Sequence, residues 1–139
     1  MEICFFAEDI DMPDFDQDKI SDWIIRTIDD RALSTWNISV IFCSDAYLLN
    51  INRQYLNHDY YTDVITFDYS ENKRVSGDIF ISVDMIRFNA EKFARNEKNE
   101  LFRVIIHGVL HLCGYKDKSP EDKKEMTKQE NLALSNLSF

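Results

Sequence analysis

The segment His107–Asp122, "HGVLHLCGYKDKSPED", carries the strongest local signals in this 139-residue chain. His107 and His111 are four residues apart, and residues at this spacing share one face of an α-helix. Gly114 can adopt the left-handed conformation that ends a helix and turns the chain back. We therefore predict a helix with two imidazoles on one face, followed by a tight return of the chain.

The histidine pair predicts a metal site whose third ligand comes from the returning chain, although paired histidines can also be satisfied core residues. Asp117 is the natural candidate, because it follows His111 closely and a carboxylate can bind zinc. His58 is the remaining imidazole but lies in a distant loop, and Cys113 offers a thiolate, although a core thiol is the expected role. Two histidines and one carboxylate leave a position for water, as in catalytic zinc sites, where the bound water has a pKa of about 7.

Gly108 disfavours an ordinary zinc protease. Metalloproteases of the H-E-x-x-H type place a glutamate directly after the first histidine as the general base. Here that position is a glycine. Metal-assisted hydrolysis would therefore need another proton acceptor, or the metal hydroxide alone.

Length and composition predict one packed domain spanning residues 1–139, with 45% hydrophobic residues and only three glycines and two prolines. No apolar run approaches the roughly 20 residues that cross a bilayer, and the N-terminus is acidic where a signal peptide would be basic. Cys4, Cys43 and Cys113 show no close pairing, which fits free thiols in a reducing compartment. We expect a cytoplasmic protein without a membrane partner.

The net charge of −9 argues against an indiscriminate nucleic-acid binder, because phosphate neutralisation supplies most non-specific affinity. Residues 1–31 hold ten acids against three bases, which is typical of a solvated helix face. A local basic groove beside a site remains compatible with this balance.

Hydrophobic periodicity predicts the order β-α-β-α-β-β-α-α-α. An α+β fold with a mixed four-stranded sheet packed with helices is the simplest architecture for this order. The expected strands are 1–8, 36–43, 62–69 and 78–83, with a loop at 70–77. The expected helices are 14–31, one capped by Ser44 that presents Leu48, Ile51 and Tyr55, 84–95, 99–112, and one that begins at Pro120 after the N-cap Ser119.

Three blocks of the chain match the signatures of a known family in the same order. "HGVLHLCGYKD" (His107–Asp117) matches H-G-x-L-H-L-x-G-Y-D-H, "TDVITF" (Thr62–Phe67) matches T-D-V-L-S-F, and "GDIFIS" (Gly77–Ser82) matches G-D-I-x-I-S. The chain thus resembles the YbeY endoribonucleases, or rRNA maturation factors, from the second helix to the last. This combination is far more specific than a histidine pair alone.

The resemblance implies a zincin-like fold and a single-strand-specific, metal-dependent endoribonuclease with one zinc ion. Its expected partners are single-stranded RNA, ribosomal RNA and the ribosome, with no DNA. The family acts in maturation of the 3′ end of small-subunit rRNA and in ribosome quality control. Its first two histidine ligands fall on His107 and His111, which we assign to both metal binding and catalysis. Its third histidine falls on Asp117.

A second departure lies before the T-D-V block, where the family carries an arginine and this chain has Leu56. Arg53 is the nearest basic substitute, about one helical turn earlier. His58 stands where family chains often have lysine. We predict both as catalytic residues that contact a phosphate or relay a proton; an exposed loop histidine is the alternative for His58.

Two other functions stay open at this point. One is a non-enzymatic ribosome-associated factor in which the metal only pins the last two helices, an option supported by the departures at Leu56 and Asp117. The other is a zincin-like hydrolase of a peptide or small molecule. The missing glutamate at Gly108 disfavours the peptide version.

Overall fold

The computed structural model describes residues 2–137, and within them four strands and five helices follow one another in the predicted order. Met1, part of the predicted first strand, lies outside the described residues. The elements are β1 (Glu2–Ala7), α1 (Gln17–Asp29), β2 (Ser34–Cys43), α2 (Asp45–Leu56), β3 (Val64–Asp68), β4 (Arg74–Ser82), α3 (Val83–Lys92), α4 (Glu97–Leu112) and α5 (Pro120–Ser135).

The strands form one mixed sheet in the order β1-β2-β4-β3. Strand β2 runs parallel to both β1 and β4, whereas β3 pairs antiparallel with β4 at the sheet edge. The larger hydrophobic core lies between the sheet and helices α1, α3, α4 and α5, and a smaller one lies beneath α2. The predicted α+β architecture with a four-stranded mixed sheet is confirmed.

Two local predictions are wrong. Strand β4 begins at Arg74 rather than Asp78, because Arg74 pairs with Ser34 at the start of β2. That partner is distant in sequence, so the local pattern of residues 70–77 shows only a loop. Tyr55, predicted on the apolar face of α2, is 68% exposed. Its ring makes an edge-on contact with the ring of Phe67.

Helix α4 is the central helix of the larger core. Four of its apolar side chains are completely buried: Ile105, Ile106, Val109 and Leu110. Burial of such a side chain stabilises a fold by about 1.5–3 kcal/mol. The helix lies so close to β4 that a Cβ on Gly108 would lie 2.6 Å from Cγ2 of Ile79. Position 108 therefore faces the sheet and has no room for the glutamate of a zinc protease.

Gly77 of β4 makes a second close approach to α4. A Cβ there would collide with the backbone oxygen of Phe67 and lie 2.8 Å from Cδ2 of Leu112. A glycine at this position therefore relieves a tight approach. These two glycines fix how α4 sits on the sheet, and so fix the position of its C-terminal turn.

Helix α5 begins as predicted, with Ser119 as N-cap, Pro120 in the first turn and a reciprocal capping box to Asp122. Its C-terminal half is tied to α1, because the buried indole Nε1 of Trp23 donates a hydrogen bond to the backbone oxygen of Ala133 at 2.9 Å. This contact fixes where the C-terminal half of α5 docks on the larger core.

The three cysteines are free thiols, as predicted. Within residues 2–137, none of the helices combines the length and apolar character required to cross a bilayer.

Candidate metal centre

The chain reverses directly after α4 through a glycine turn. Gly114 has φ of +104°, a conformation that favours glycine. Its N–H donates to the backbone oxygen of His111 at 3.0 Å, and the N–H of Tyr115 donates to the backbone oxygen of Leu110 at 3.0 Å. This pair of bonds is a Schellman motif. The predicted helix end is confirmed, and it directs the following residues back over the last turn of α4.

Asp117, on the returning chain, meets both histidines. The Nε2 atoms of His107 and His111 are 3.0 Å apart, and Oδ2 of Asp117 is 3.3 Å from each of them. We call these three atoms the ligand triangle. Atoms bound tetrahedrally to zinc at about 2.0 Å are separated by about 3.3 Å. The triangle therefore matches three of the four positions of a tetrahedral zinc site.

The other nitrogen of each imidazole is held by the protein. Nδ1 of His107 donates to Oε2 of Glu130 at 2.6 Å, and Nδ1 of His111 donates to the backbone oxygen of Tyr115 at 3.0 Å. A carboxylate and a carbonyl only accept, so both Nδ1 atoms carry the proton. Neutral imidazoles in this tautomer turn two Nε2 lone pairs and a carboxylate oxygen towards one point, which a cation stabilises.

The same surroundings favour a positive charge on His107. Burial lowers the pKa of this imidazole, but the hydrogen bond and charge of Glu130, together with the charges of Asp63 and Asp117, raise it more. The net result is a pKa above the ordinary value for histidine. Because a metal ion requires the neutral ring, protons and metal compete at this site.

Glu130 of α5 supports the site from behind. Its side chain is only 10% exposed, and Oε1 accepts from Nη1 of Arg103 at 2.9 Å while Oε2 accepts from Nδ1 of His107. Nη2 of Arg103 is held in turn by Asn131 at 2.8 Å. Carboxylates that orient a ligating histidine in this way strengthen metal binding. Glu130 is not predicted from the sequence, because nothing in the local pattern of α5 shows which residues face α4.

Asp63, directly before β3, lies close enough to His107 for their charges to interact. Its Oδ2 accepts from Nδ2 of Asn89 on α3 at 3.4 Å, and its backbone oxygen accepts from the N–H of Ser82 at 3.0 Å. Burial raises the pKa of this carboxyl, while the nearby His107 opposes that rise. Asp63 therefore ties the loop before β3 to α3 and to the end of β4.

The two competing ligands lie outside the triangle. Burial raises the pKa of the Cys113 thiol to about 11 and the side chain packs against the larger core, which confirms a core thiol. Nδ1 of His58 is 3.0 Å from the Tyr60 hydroxyl and the two rings stack at 5.1 Å. Among the described residues, the group able to hold a metal consists of His107, His111 and Asp117.

Arg53 forms an exposed ion pair, with Nε 2.5 Å from Oδ1 of Asp59. Its side chain is 53% exposed, and Leu56, which replaces the family arginine, ends the same helix. Within the part of the chain that the structure describes, the polar contacts of Arg53 and His58 are made between the last turns of α2 and the loop that follows it. Their catalytic roles remain predictions.

The fold and the site together are typical of a metal-dependent hydrolase. Two histidines on a core helix and one carboxylate would bind the metal, and its fourth coordination position would remain free for water or substrate. The Asp117 carboxylate is 42% exposed, against 20% and 23% for the two imidazoles. The triangle is therefore more open to solvent on the Asp117 side.

Comparison with known proteins identifies the family. Residues 3–138 match the family model of endoribonuclease YbeY, and the chain belongs to this YbeY endoribonuclease family. It is 50% identical to endoribonuclease YbeY of Parabacteroides distasonis, covering 99% of this chain and 96% of that protein. It is 48% identical to endoribonuclease YbeY of Bacteroides thetaiotaomicron, with coverage of 97% and 98%.

A solved structure shares the fold. The solution structure of TM1509 from Thermotoga maritima aligns with a TM-score of 0.68 and 25% sequence identity, covering 98% of this chain and 89% of that one. The resemblance drawn from the three sequence blocks is thereby confirmed. Family membership favours an enzyme acting on RNA over the non-enzymatic factor and over a hydrolase of another substrate.

Proposed function

We propose that this protein is a single-strand-specific endoribonuclease that uses one zinc ion held by His107, His111 and Asp117. The observation that carries the proposal is the ligand triangle, in which Asp117 lies 3.3 Å from both imidazoles. Family membership supplies the reaction class, and the donor set of two imidazoles and a carboxylate supplies the chemistry. Residues 1–139 act as one catalytic domain.

Zinc at this site would supply an ionised water near neutral pH and polarise a phosphoryl oxygen. The protein residues prepare that chemistry. Glu130 and the Tyr115 carbonyl fix both Nδ1 protons, so both Nε2 atoms stay available as ligands. Asp117 lowers the net positive charge compared with a third histidine. The exposed side of Asp117 is where a phosphodiester approaches.

The biological substrate that we propose is the 3′ end of small-subunit rRNA, cut in the context of the ribosome in the cytoplasm. The support is the 50% identity to a YbeY endoribonuclease over nearly the whole chain. The net charge of −9 fits a selective enzyme better than an indiscriminate nuclease. His58, Tyr60 and Tyr61 form an exposed aromatic loop near the start of β3 and could stack unpaired bases.

The test uses purified protein, a labelled single-stranded RNA and a duplex of the same sequence. We expect cleavage of the single strand alone, loss of cleavage with a chelator and recovery with added zinc. His111→Ala, purified identically, controls for contaminating ribonucleases and should leave only background. Equal cleavage by the wild-type protein and His111→Ala, with matched melting curves, would contradict the proposal.

A further inference from the structure

The end of α3 and the following turn form a surface unlike the rest of this acidic chain. Residues 87–98, "RFNAEKFARNEK", hold four bases against two acids, whereas the whole chain has a net charge of −9. Phe88 and Phe93 are 55% and 51% exposed on this segment. We call Phe88, Lys92, Phe93 and Arg95 the aromatic–basic patch.

The cations of the patch are organised around an aromatic ring. Nζ of Lys92 is 5.4 Å from the centroid of the Phe93 ring, and Cζ of Arg95 is 4.9 Å from it. Arg95 is also fixed by an ion pair, with Nη1 3.0 Å from Oε2 of the buried Glu100. Cation–π contacts of this kind hold positive charge beside an exposed aromatic face. The patch therefore combines ordered cations with aromatic surface.

Contacts made by α3 connect the patch to the candidate metal centre. Asn89 bonds the carboxylate of Asp63, which lies close enough to His107 for their charges to interact. Lys92 and Phe93 follow Asn89 by three and four residues, and such residues share a helix face. The face of α3 that is turned towards the site therefore continues into the patch.

A second connection runs along α4. Glu100, which holds Arg95, is followed by Arg103 three residues later and by His107 four residues after that. These positions lie on one side of the helix. Seven residues of α-helix span about 10 Å. The patch thus lies within a few nucleotides' reach of the ligand triangle.

We propose that the aromatic–basic patch binds the single-stranded RNA that leads into the metal centre, an inference that rests on the proposed function. Cations that neutralise phosphates and aromatic rings that stack bases are the two elements of single-strand binding. Lys92 and Arg95 contact the phosphate backbone, and Phe88 and Phe93 present ring faces to unpaired bases. The patch gives an acidic protein a local positively charged surface on which the RNA backbone can bind.

The test measures binding apart from cleavage. Metal-free protein is titrated into a fluorescent single-stranded RNA at several salt concentrations, and Kd is read by anisotropy. We compare Lys92→Glu and Phe93→Ala with Lys19→Glu on α1 and Phe6→Ala on β1, because Lys19 and Phe6 are also exposed. Melting curves establish that all four variants are folded.

We expect Lys92→Glu and Phe93→Ala each to weaken RNA binding about tenfold, in the range of one lost stacking contact. Lys92→Glu should also lower the slope of log Kd against log salt by about 0.7, the value for one phosphate contact to a single strand. Lys19→Glu and Phe6→Ala should bind like the wild-type protein.

The inference is overturned if the patch variants bind RNA as tightly as the controls while the zinc-loaded wild-type protein cleaves the same RNA. It is also overturned if the patch binds anionic lipid vesicles and the two substitutions weaken only that binding. Failure of the wild-type protein to cleave is a separate result, which would remove the proposed function itself.

Discussion

Two regions hold their polar side chains in opposite ways: the corner between α4 and α5, and the segment from the last turn of α2 to the start of β3, which we call the loop. In the corner, His107 and His111 are mostly buried, and the second nitrogen of each is fixed: Glu130 of α5 holds that of His107, and the Tyr115 backbone oxygen in the glycine turn holds that of His111. In the loop, Arg53 and His58 are paired with their near neighbours Asp59 and Tyr60 in contact with solvent.

The difference shows which region can hold a metal and which can adapt to a substrate. Metal ligands must be fixed within a few tenths of an ångström, which requires supporting contacts to rigid elements. Exposed side chains keep more rotamer freedom. The corner therefore provides a preorganised centre, and the loop can rearrange around an RNA.

The largest effect is expected at the carboxylate that completes the corner. Asp117→Ala removes one of three ligands and should weaken zinc binding about a hundredfold or more. Asp117→His, which introduces the family's ligand, should keep the affinity within about tenfold of the wild type. Competition with a chromophoric chelator measures both. Equal affinity of the wild-type protein and Asp117→Ala would break the comparison, because the corner would then not need its third side chain.

A smaller loss is expected when the support behind His107 is changed. Glu130→Gln removes the charge that strengthens His107 as a ligand, and should weaken zinc binding about 10- to 100-fold. Glu125→Gln is the matched control, because Glu125 is an exposed carboxylate on the same helix and bonds Gln129. The same chelator competition serves here. If both variants bound zinc like the wild-type protein, preorganisation by Glu130 would be disproved.

In the loop, Arg53→Ala and His58→Ala should leave zinc affinity unchanged, since exposed ion pairs contribute little to structure. If these residues contact RNA, each substitution should reduce RNA cleavage about three- to tenfold. The effect should fall on KM if these residues contact phosphate. Steady-state kinetics with one RNA at matched zinc occupancy separates the two parameters. A loss of zinc from either variant would show that the loop contributes to metal binding. The proposed difference between the two regions would then be wrong.

The smallest effect is expected for alkylation of Cys113. This residue lies in the corner but packs against the core, so its thiol should react slowly. Alkylation requires the thiolate, and burial raises the pKa of this thiol to about 11. At pH 8 roughly one molecule in a thousand is then ionised, and the rate should rise about tenfold per pH unit below that pKa. Peptide mapping after timed alkylation measures it. Reaction at pH 8 as fast as in urea would show that the corner is open.

The sequence predicted correctly that His107, His111 and Asp117 come together, because these residues are close along the chain. The spacing of His107 and His111 and the turn at Gly114 are local features, and Asp117 lies only a few residues beyond them. Glu130 could not be predicted, because its approach to His107 depends on how α5 docks, which the contact between Trp23 and Ala133 helps to fix. The helix that carries the site could be predicted from the sequence, whereas the contacts that support its histidines could not.

The same distinction explains the errors in the fold. The caps at Ser44 and Ser119 are local hydrogen bonds and were predicted correctly. The start of β4 at Arg74 depends on pairing with Ser34, and no local pattern reveals a strand partner. The exposure of Tyr55 likewise depends on how little of α2 the sheet covers.

The most direct measurement is a crystal structure of the zinc-loaded protein with an anomalous difference map at the zinc edge. The account predicts one strong peak, bonded to Nε2 of His107 and His111 and to a carboxylate oxygen of Asp117, each at about 2.0–2.2 Å. A loaded protein whose zinc peak lies elsewhere, or whose Asp117 has turned away from the two histidines, would contradict it.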